Sequence, residues 1–259
     1  MILSTGTILL LTIIFFVIAL LYSSVGFGGG SSYLAVLAIV ITSFFTIRSL
    51  ALVCNIVVVS GSTYWYIKKG HFKGKFVLPF IITSIPLAFL GASFRLKEEL
   101  FFILLGLALI GSSIALLTQT INTKTLQERI QNYPPFLSYI LGGGIGLLSG
   151  LVGIGGGIFL APILNHLRFA KTIHIAALAS FFILVNSISG IIGLAAVGTL
   201  NLPWLETLIL ALAVFLGGQL GIRLSLATLS PNNLKRITAL LVGIVGIRVI
   251  LVNGLQLFV

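Results

Sequence analysis

The stretch SSVGFGGGSS, residues 23–32, interrupts an otherwise apolar run that resumes as YLAVLAIVI. Four glycines fall within residues 26–30, and each costs about 1 kcal/mol against alanine in a helix interior. Helix propensity alone gives a bilayer-crossing segment no reason to carry them. The second half of the chain repeats the pattern: Val25-Gly26-Phe27-Gly28-Gly29-Gly30 matches Val152-Gly153-Ile154-Gly155-Gly156-Gly157. Two further correspondences follow in the same order. Asn55 and Ser60-Gly61 are echoed by Asn186 and Ser189-Gly190, and FLGASF at 89–94 by FLGGQLG at 215–221. Three ordered matches indicate internal duplication.

Composition fixes the surroundings of this duplicated chain. Hydrophobic residues make up 58% of 259 and charged residues 7%, with a mean hydropathy of +1.24. A soluble domain needs about 25% charged residues to solvate its surface, so this surface faces lipid. Continuous apolar runs predict an all-α integral membrane protein and not an alternating β-barrel. The net charge of +11 is spread over short loops. That distribution speaks for topology and anionic headgroups, and against nucleic acid as a partner. The single cysteine, Cys54, excludes an intrachain disulfide and a multi-cysteine metal site. No metal and no cofactor is expected. The opening segment has no Lys or Arg before Arg48, so it is expected to be a retained helix and not a cleaved leader.

Ten membrane segments are drawn, at about 2–22, 28–45, 46–67, 76–94 and 99–117, then 136–152, 157–167, 171–197, 204–222 and 234–252. The seventh, at roughly 16 Å of helix, is short for a full crossing. The polar stretch 118–135, with Pro134-Pro135, separates a first repeat (1–117) from a second (136–259). Alternating loops place eleven basic residues on one side: Lys68, Lys69, Lys73, Lys75, Lys124, Arg129, Arg168, Lys171, Arg223, Lys235 and Arg236. The other side has Arg48, Arg95, Lys97 and Arg248. If each Gly-interrupted pair instead made one pass, the split would be eight to six. The positive-inside rule therefore selects ten segments, with both termini outside the cytoplasmic membrane. Five segments per half make the repeats inverted, as in secondary transporters whose site lies where the repeats meet.

The glycine breaks are the first candidate site. Gly26, Gly28, Gly29 and Gly30, with Gly153, Gly155, Gly156 and Gly157, let the backbone leave the α region and approach another group closely. Each following helix directs free N–H groups and a positive dipole end at the break. Ser31 adds a hydroxyl in the first copy. Close helix packing by small residues is the alternative reading. Asn55 and Asn186 sit near their segment centres, where a buried amide serves either as interhelical glue or as a donor to an oxyanion. Ser60, Ser187, Ser189 and Gln219 are weaker candidates. Arg48 and Arg223, near segment ends, are expected to snorkel, and Arg48 is a candidate for attracting anions at the outer mouth. No Asp occurs, and no segment centre holds a Glu, which disfavours cation transport and suits a small anionic substrate. Ser149 with His166 or His174 raises a hydrolase dyad, but no oxyanion motif accompanies it, so no catalytic residue is expected.

SSVGFGGGSSYL (23–34) and SGLVGIGGGIFLAPIL (149–164) resemble the paired signatures of the sulfite exporter TauE/SafE family of membrane permeases. PLAFLGASF from Pro86 resembles the family's Pro-then-Gly segment. The resemblance implies a secondary transporter moving sulfite, an organosulfonate or a related organic acid anion, with a possible coupling proton. A passive anion channel would share the same site chemistry. Direction and oligomeric state are not given by it.

Overall fold

In a computed structural model, the described residues are 4–24, 28–41, 43–121, 131, 133–225 and 231–255. They form ten α-helices: α1 Thr5–Ser24, α2 Gly30–Val40, α3 Phe44–Lys68, α4 Gly74–Ser93, α5 Glu98–Ile121, α6 Pro135–Val152, α7 Gly157–His166, α8 Thr172–Ala196, α9 Trp204–Ser225 and α10 Pro231–Arg248. A π-helical turn, Val249–Gly254, extends α10. Local chemistry sets several ends. Pro135 occupies the first turn of α6, where its missing N–H is not needed. Glu98 and Glu99 open α5, and Glu206 opens α9, each a carboxylate at the positive end of a helix.

Seven of the helices are long and apolar enough to cross a membrane by length and composition. They are apolar all round. On α1, Leu11, Phe15 and Ile18 are buried while Leu9, Leu10, Ile13 and Val17 face outward, the pattern of a helix between protein and lipid. α2 and α7 differ. At 11 and 10 residues they are about 15–16 Å long, half of a hydrocarbon core of about 30 Å. The second segment is thus shorter than the apolar run 28–45 predicts, because Ile41 is extended (φ −113°, ψ 132°) and ends the helix at Val40.

α2 does not prolong α1. The Tyr33 ring stacks on Phe15 with centroids 4.6 Å apart, and Tyr22 Oη lies 2.6 Å from Ser32 Oγ. A continuous helix would hold residues 15 and 33 about 27 Å apart. The chain therefore turns back at the glycine break, and the first turn of α2 lies against α1.

Contacts between the halves rest on glycine. Gly142, Gly146 and Gly150 of α6 face the backbone of Phe80, Ser84 and Ala88 of α4 in step, so the two helices run parallel. Gly217 and Gly221 of α9 meet the carbonyls of Phe16 and Leu20 of α1 in the same manner. Small residues every fourth position let backbones touch. The principal pairings map onto one another when α1–α5 are exchanged for α6–α10. α1 on α9 corresponds to α6 on α4, α3 on α9 to α8 on α4, and α2 on α3 to α7 on α8. α3 on α8 and α5 on α10 map onto themselves.

The ends sort the polar residues. One end gathers Lys69 and His71 beside Ile173, and Lys73 beside Lys171 and His174. There His174 Nδ1 lies 2.8 Å from the His71 carbonyl oxygen. At the other end Arg95 donates to the Val197 carbonyl (2.6 Å), and Asn201 Nδ2 to Thr46 Oγ1 (2.9 Å).

Candidate functional site

The two glycine breaks share a left-handed glycine at the start of their short helices. Gly29 caps α2 with φ +84°, and Gly156 caps α7 with φ +82°. Left-handed φ values are open to glycine without steric cost, so the repeated glycine at this position is what lets each chain turn into its short helix. Neither helix start is closed by a side-chain cap, which leaves first-turn N–H groups without intrahelical acceptors. Gly153 and Gly155 are also left-handed, at φ +81° and +83°. Gly26 lies outside the described residues.

The breaks meet at Asn55, midway along α3. This residue is fully buried, and its Nδ2 donates to the Ile154 carbonyl at 2.9 Å. A Cβ on Gly28 would stand 2.7 Å from Asn55 Oδ1, and one on Gly30 would strike the same carboxamide and lie 2.7 Å from Ile154 O. A Cβ on Gly155 would lie 2.7 Å from Ile183 Cγ2, 3.0 Å from Ser187 Oγ and 3.1 Å from Asn55 Nδ2. Both breaks thus pack against the same carboxamide. Gly157 packs on Ile183.

Between them lies a cavity of about 10 Å³, lined by Tyr22, Gly28, Gly29, Gly30, Ser31, Ile154, Ile158 and Ile183. That is room for the centre of one water. In its lining, Ser31 Oγ has no hydrogen bond; outside the lining, Asn55 Oδ1 beside Gly28 and Ser187 Oγ beside Gly155 are also unbonded. Unsatisfied buried polar groups are costly, and groups left unpaired in this way are commonly completed by an ordered water or a ligand. Asn186 is buried with neither amide atom bonded. It lies one turn along α8 from Ile183 and does not line the cavity.

The weaker candidates separate. Ser60 is exposed and returns its hydroxyl to Ile56 O (2.6 Å). Ser189 binds α8 to α4 through Ile85 O (2.6 Å), and Gln219 packs against Gly61. Ser149 Oγ has no hydrogen-bond partner, and His174 Nδ1 is engaged with His71 O, so no Ser149–His174 dyad forms.

Arg48 overturns its expectation. It does not snorkel and does not stand at an open mouth: its side chain is fully buried. Nη2 donates to Gly150 O at 2.8 Å, with Ala92 O at 3.4 Å, and Cζ lies 5.8 Å from the Phe101 ring centre. These carbonyls end α6 and α4, where a cation meets the negative helix pole. Tyr22, three residues before Val25, was also not singled out by sequence. The spacing of one turn from the motif was the available signal.

Helices too apolar for water, joined through glycine stripes around two short helices whose glycine breaks meet, define a polytopic helical membrane protein, and the comparisons make it a membrane transporter. The chain belongs to the sulfite exporter TauE/SafE family, whose profile matches residues 11–249. It is 33% identical over 244 residues to a probable membrane transporter protein of Sinorhizobium fredii, covering 93% of this chain and 97% of the relative. It is 26% identical over 259 residues to a probable membrane transporter protein of Methanocaldococcus jannaschii, covering 93% and 95%. No solved structure matches it significantly.

Proposed function

We propose that this transporter carries a small anion, sulfite, an organosulfonate or a related organic acid anion, by alternating access. The observation that carries this reading is the convergence of α2 and α7. Both begin at a left-handed glycine, and both breaks pack on Asn55. Each helix start supplies about half a positive charge and free N–H donors. Asn55, Ser31 and Ser187 add side-chain donors within a shell that holds no carboxylate among the described residues.

The exchange of helix pairings between α1–α5 and α6–α10 supports an inverted pair of repeats rocking about the shared breaks. The lysine-bearing end is the cytoplasmic one under the positive-inside rule, which leaves both termini outside. A cavity that admits a single water favours a carrier with an occluded site over a standing channel. A proton is the coupling ion that the family resemblance implies.

The test is uptake of radiolabelled sulfite into liposomes holding the purified chain. We expect saturable accumulation that an imposed pH gradient drives, together with thermal stabilisation of the detergent-solubilised protein by sulfite, thiosulfate or sulfonates. Stabilisation by cations alone sinks the anion reading. A non-saturable flux that never exceeds equilibrium makes the protein a channel.

A further inference from the structure

Arg48 is a buried charge that the glycine-break site does not account for. It lies on α3 seven residues before Asn55, about 10 Å along the helix. Its described polar contacts are carbonyl oxygens, Gly150 O and Ala92 O, and not a carboxylate. Carbonyls satisfy hydrogens on Nη2 but do not neutralise the guanidinium. Its Nε–H has no acceptor at all. The two helix C-termini and the Phe101 ring offset part of that charge, and a buried cation without a full counter-charge is a ready partner for an anion.

Further unbonded polar atoms connect Arg48 to the breaks. Gly153 packs on its stem: a Cβ there would lie 3.3 Å from Arg48 Cγ. On the adjoining turn, Ser149 Oγ is buried and unbonded, and Ser149 Cβ lies 3.2 Å from where a Cβ on Gly156 would be. Gly155, next in the chain, abuts Ser187 Oγ and Asn55. Arg48 Nε, Ser149 Oγ, Ser187 Oγ and Asn55 thus follow the second break from one half of the membrane to its centre. All but the Asn55 oxygen can donate hydrogen, and the complementary ligand is an oxyanion with several acceptor oxygens. The arrangement is one-sided, since α8 carries no Lys or Arg from Thr172 to Ala196.

We propose that Arg48 is the fixed positive charge of the transport path, binding the anion through its guanidinium in the half of the membrane away from the lysine-rich end and passing it to the glycine breaks. This rests on the small-anion reading above. It adds a substrate-binding residue and the source of charge selection.

The test titrates sodium sulfite against the purified full chain and reads the concentration giving half-maximal thermal stabilisation. In Arg48→Gln we expect that concentration to rise roughly tenfold or more, because a charge-assisted contact is lost. In Arg48→Lys we expect a rise of about threefold, because the charge stays while the planar fork is lost. If wild type responds and both variants respond at the same concentration, Arg48 is a helix cap only; the proposal fails and the anion reading stands. If no anion stabilises wild type, the anion reading fails and takes the proposal with it. Should the variants not fold, phenylglyoxal labelling of wild type, mapped by mass spectrometry, decides. Sulfite is expected to slow labelling at Arg48, and labelling that is equal or absent under both conditions overturns the proposal.

Discussion

The Asn55 carboxamide joins the two halves of the chain: its Nδ2 lies 2.9 Å from the carbonyl oxygen of Ile154, 99 positions away. That carbonyl belongs to the second glycine break, while the Oδ1 of the same side chain faces Gly28 of the first. One amide therefore touches both breaks from which α2 and α7 start. Its role in holding the fold and its role in presenting the site are separable by substitution.

Asn55→Ala removes one interhelical hydrogen bond, a contact worth about 0.6 kcal/mol between membrane helices. The variant is expected to fold and to lose a few degrees or less of thermal stability. Sulfite uptake is expected to fall roughly tenfold or more, as for loss of a hydrogen bond made to a charged group. Asn55→Asp keeps the shape and adds a negative charge beside both helix starts, and should abolish uptake. Full uptake in Asn55→Asp would falsify an anion path through this point.

The glycine breaks were legible because duplication printed the same motif twice, and a left-handed cap requires glycine wherever it occurs. Their meeting at Asn55 was legible only as a symmetry argument, since Asn55 and Asn186 look equivalent in sequence. In the fold they differ: Asn55 binds the opposite break, while neither amide atom of Asn186 is bonded. Arg48 departs from its sequence expectation for a physical reason. Its place one turn inside α3 suggests exposure, but the C-terminal carbonyls of α4 and α6 close over it. The length of α2 was hidden too, because hydropathy continues through residues 41–45 after the helix has ended.

Glycines of the two kinds should respond oppositely to alanine. An added Cβ at Gly111 or Gly144, both in helix interiors, meets nothing within 4 Å. Gly111→Ala and Gly144→Ala are expected to be neutral or to stabilise by up to about 1 kcal/mol. Gly156→Ala forces a left-handed alanine, costing about 1–2 kcal/mol, and brings its Cβ within 2.8 Å of Phe182 Cε1. Thermal unfolding in one detergent should rank the three variants accordingly; equal stabilities would contradict the left-handed cap.

The α4–α6 contact leaves no room for a methyl group at Gly146, whose Cβ would sit 2.6 Å from Ser84 Cα and 2.8 Å from Ser84 Cβ. Gly146→Ala is expected to destabilise by about 1–3 kcal/mol through overpacking. Ser84→Gly in the same chain removes one of the three colliding Ser84 atoms and should recover part of that loss, a coupling a double-mutant cycle measures. Additive effects would mean that the helices do not meet at this pair.

The parity of the first break can be read from cysteine accessibility. α2 turns back beside α1, with Tyr33 stacked on Phe15, so the residues before α1 and after α2 belong on one side. Were the pair a single crossing, they would be on opposite sides. Cys54 is buried and serves as the unlabelled background. Gly6 and Gly74 have open space where a Cβ would go, and Ser43 is half-buried between α2 and α3. On intact cells a membrane-impermeant maleimide is expected to label Gly6→Cys and Ser43→Cys. Gly74→Cys, beside the lysine-bearing turn, should label only after the membrane is opened. Labelling of Gly6→Cys and Ser43→Cys from opposite sides would make α1 and α2 one pass. The two halves would then enter the membrane from the same side, and the helix N-termini could no longer be related by a two-fold axis in its plane.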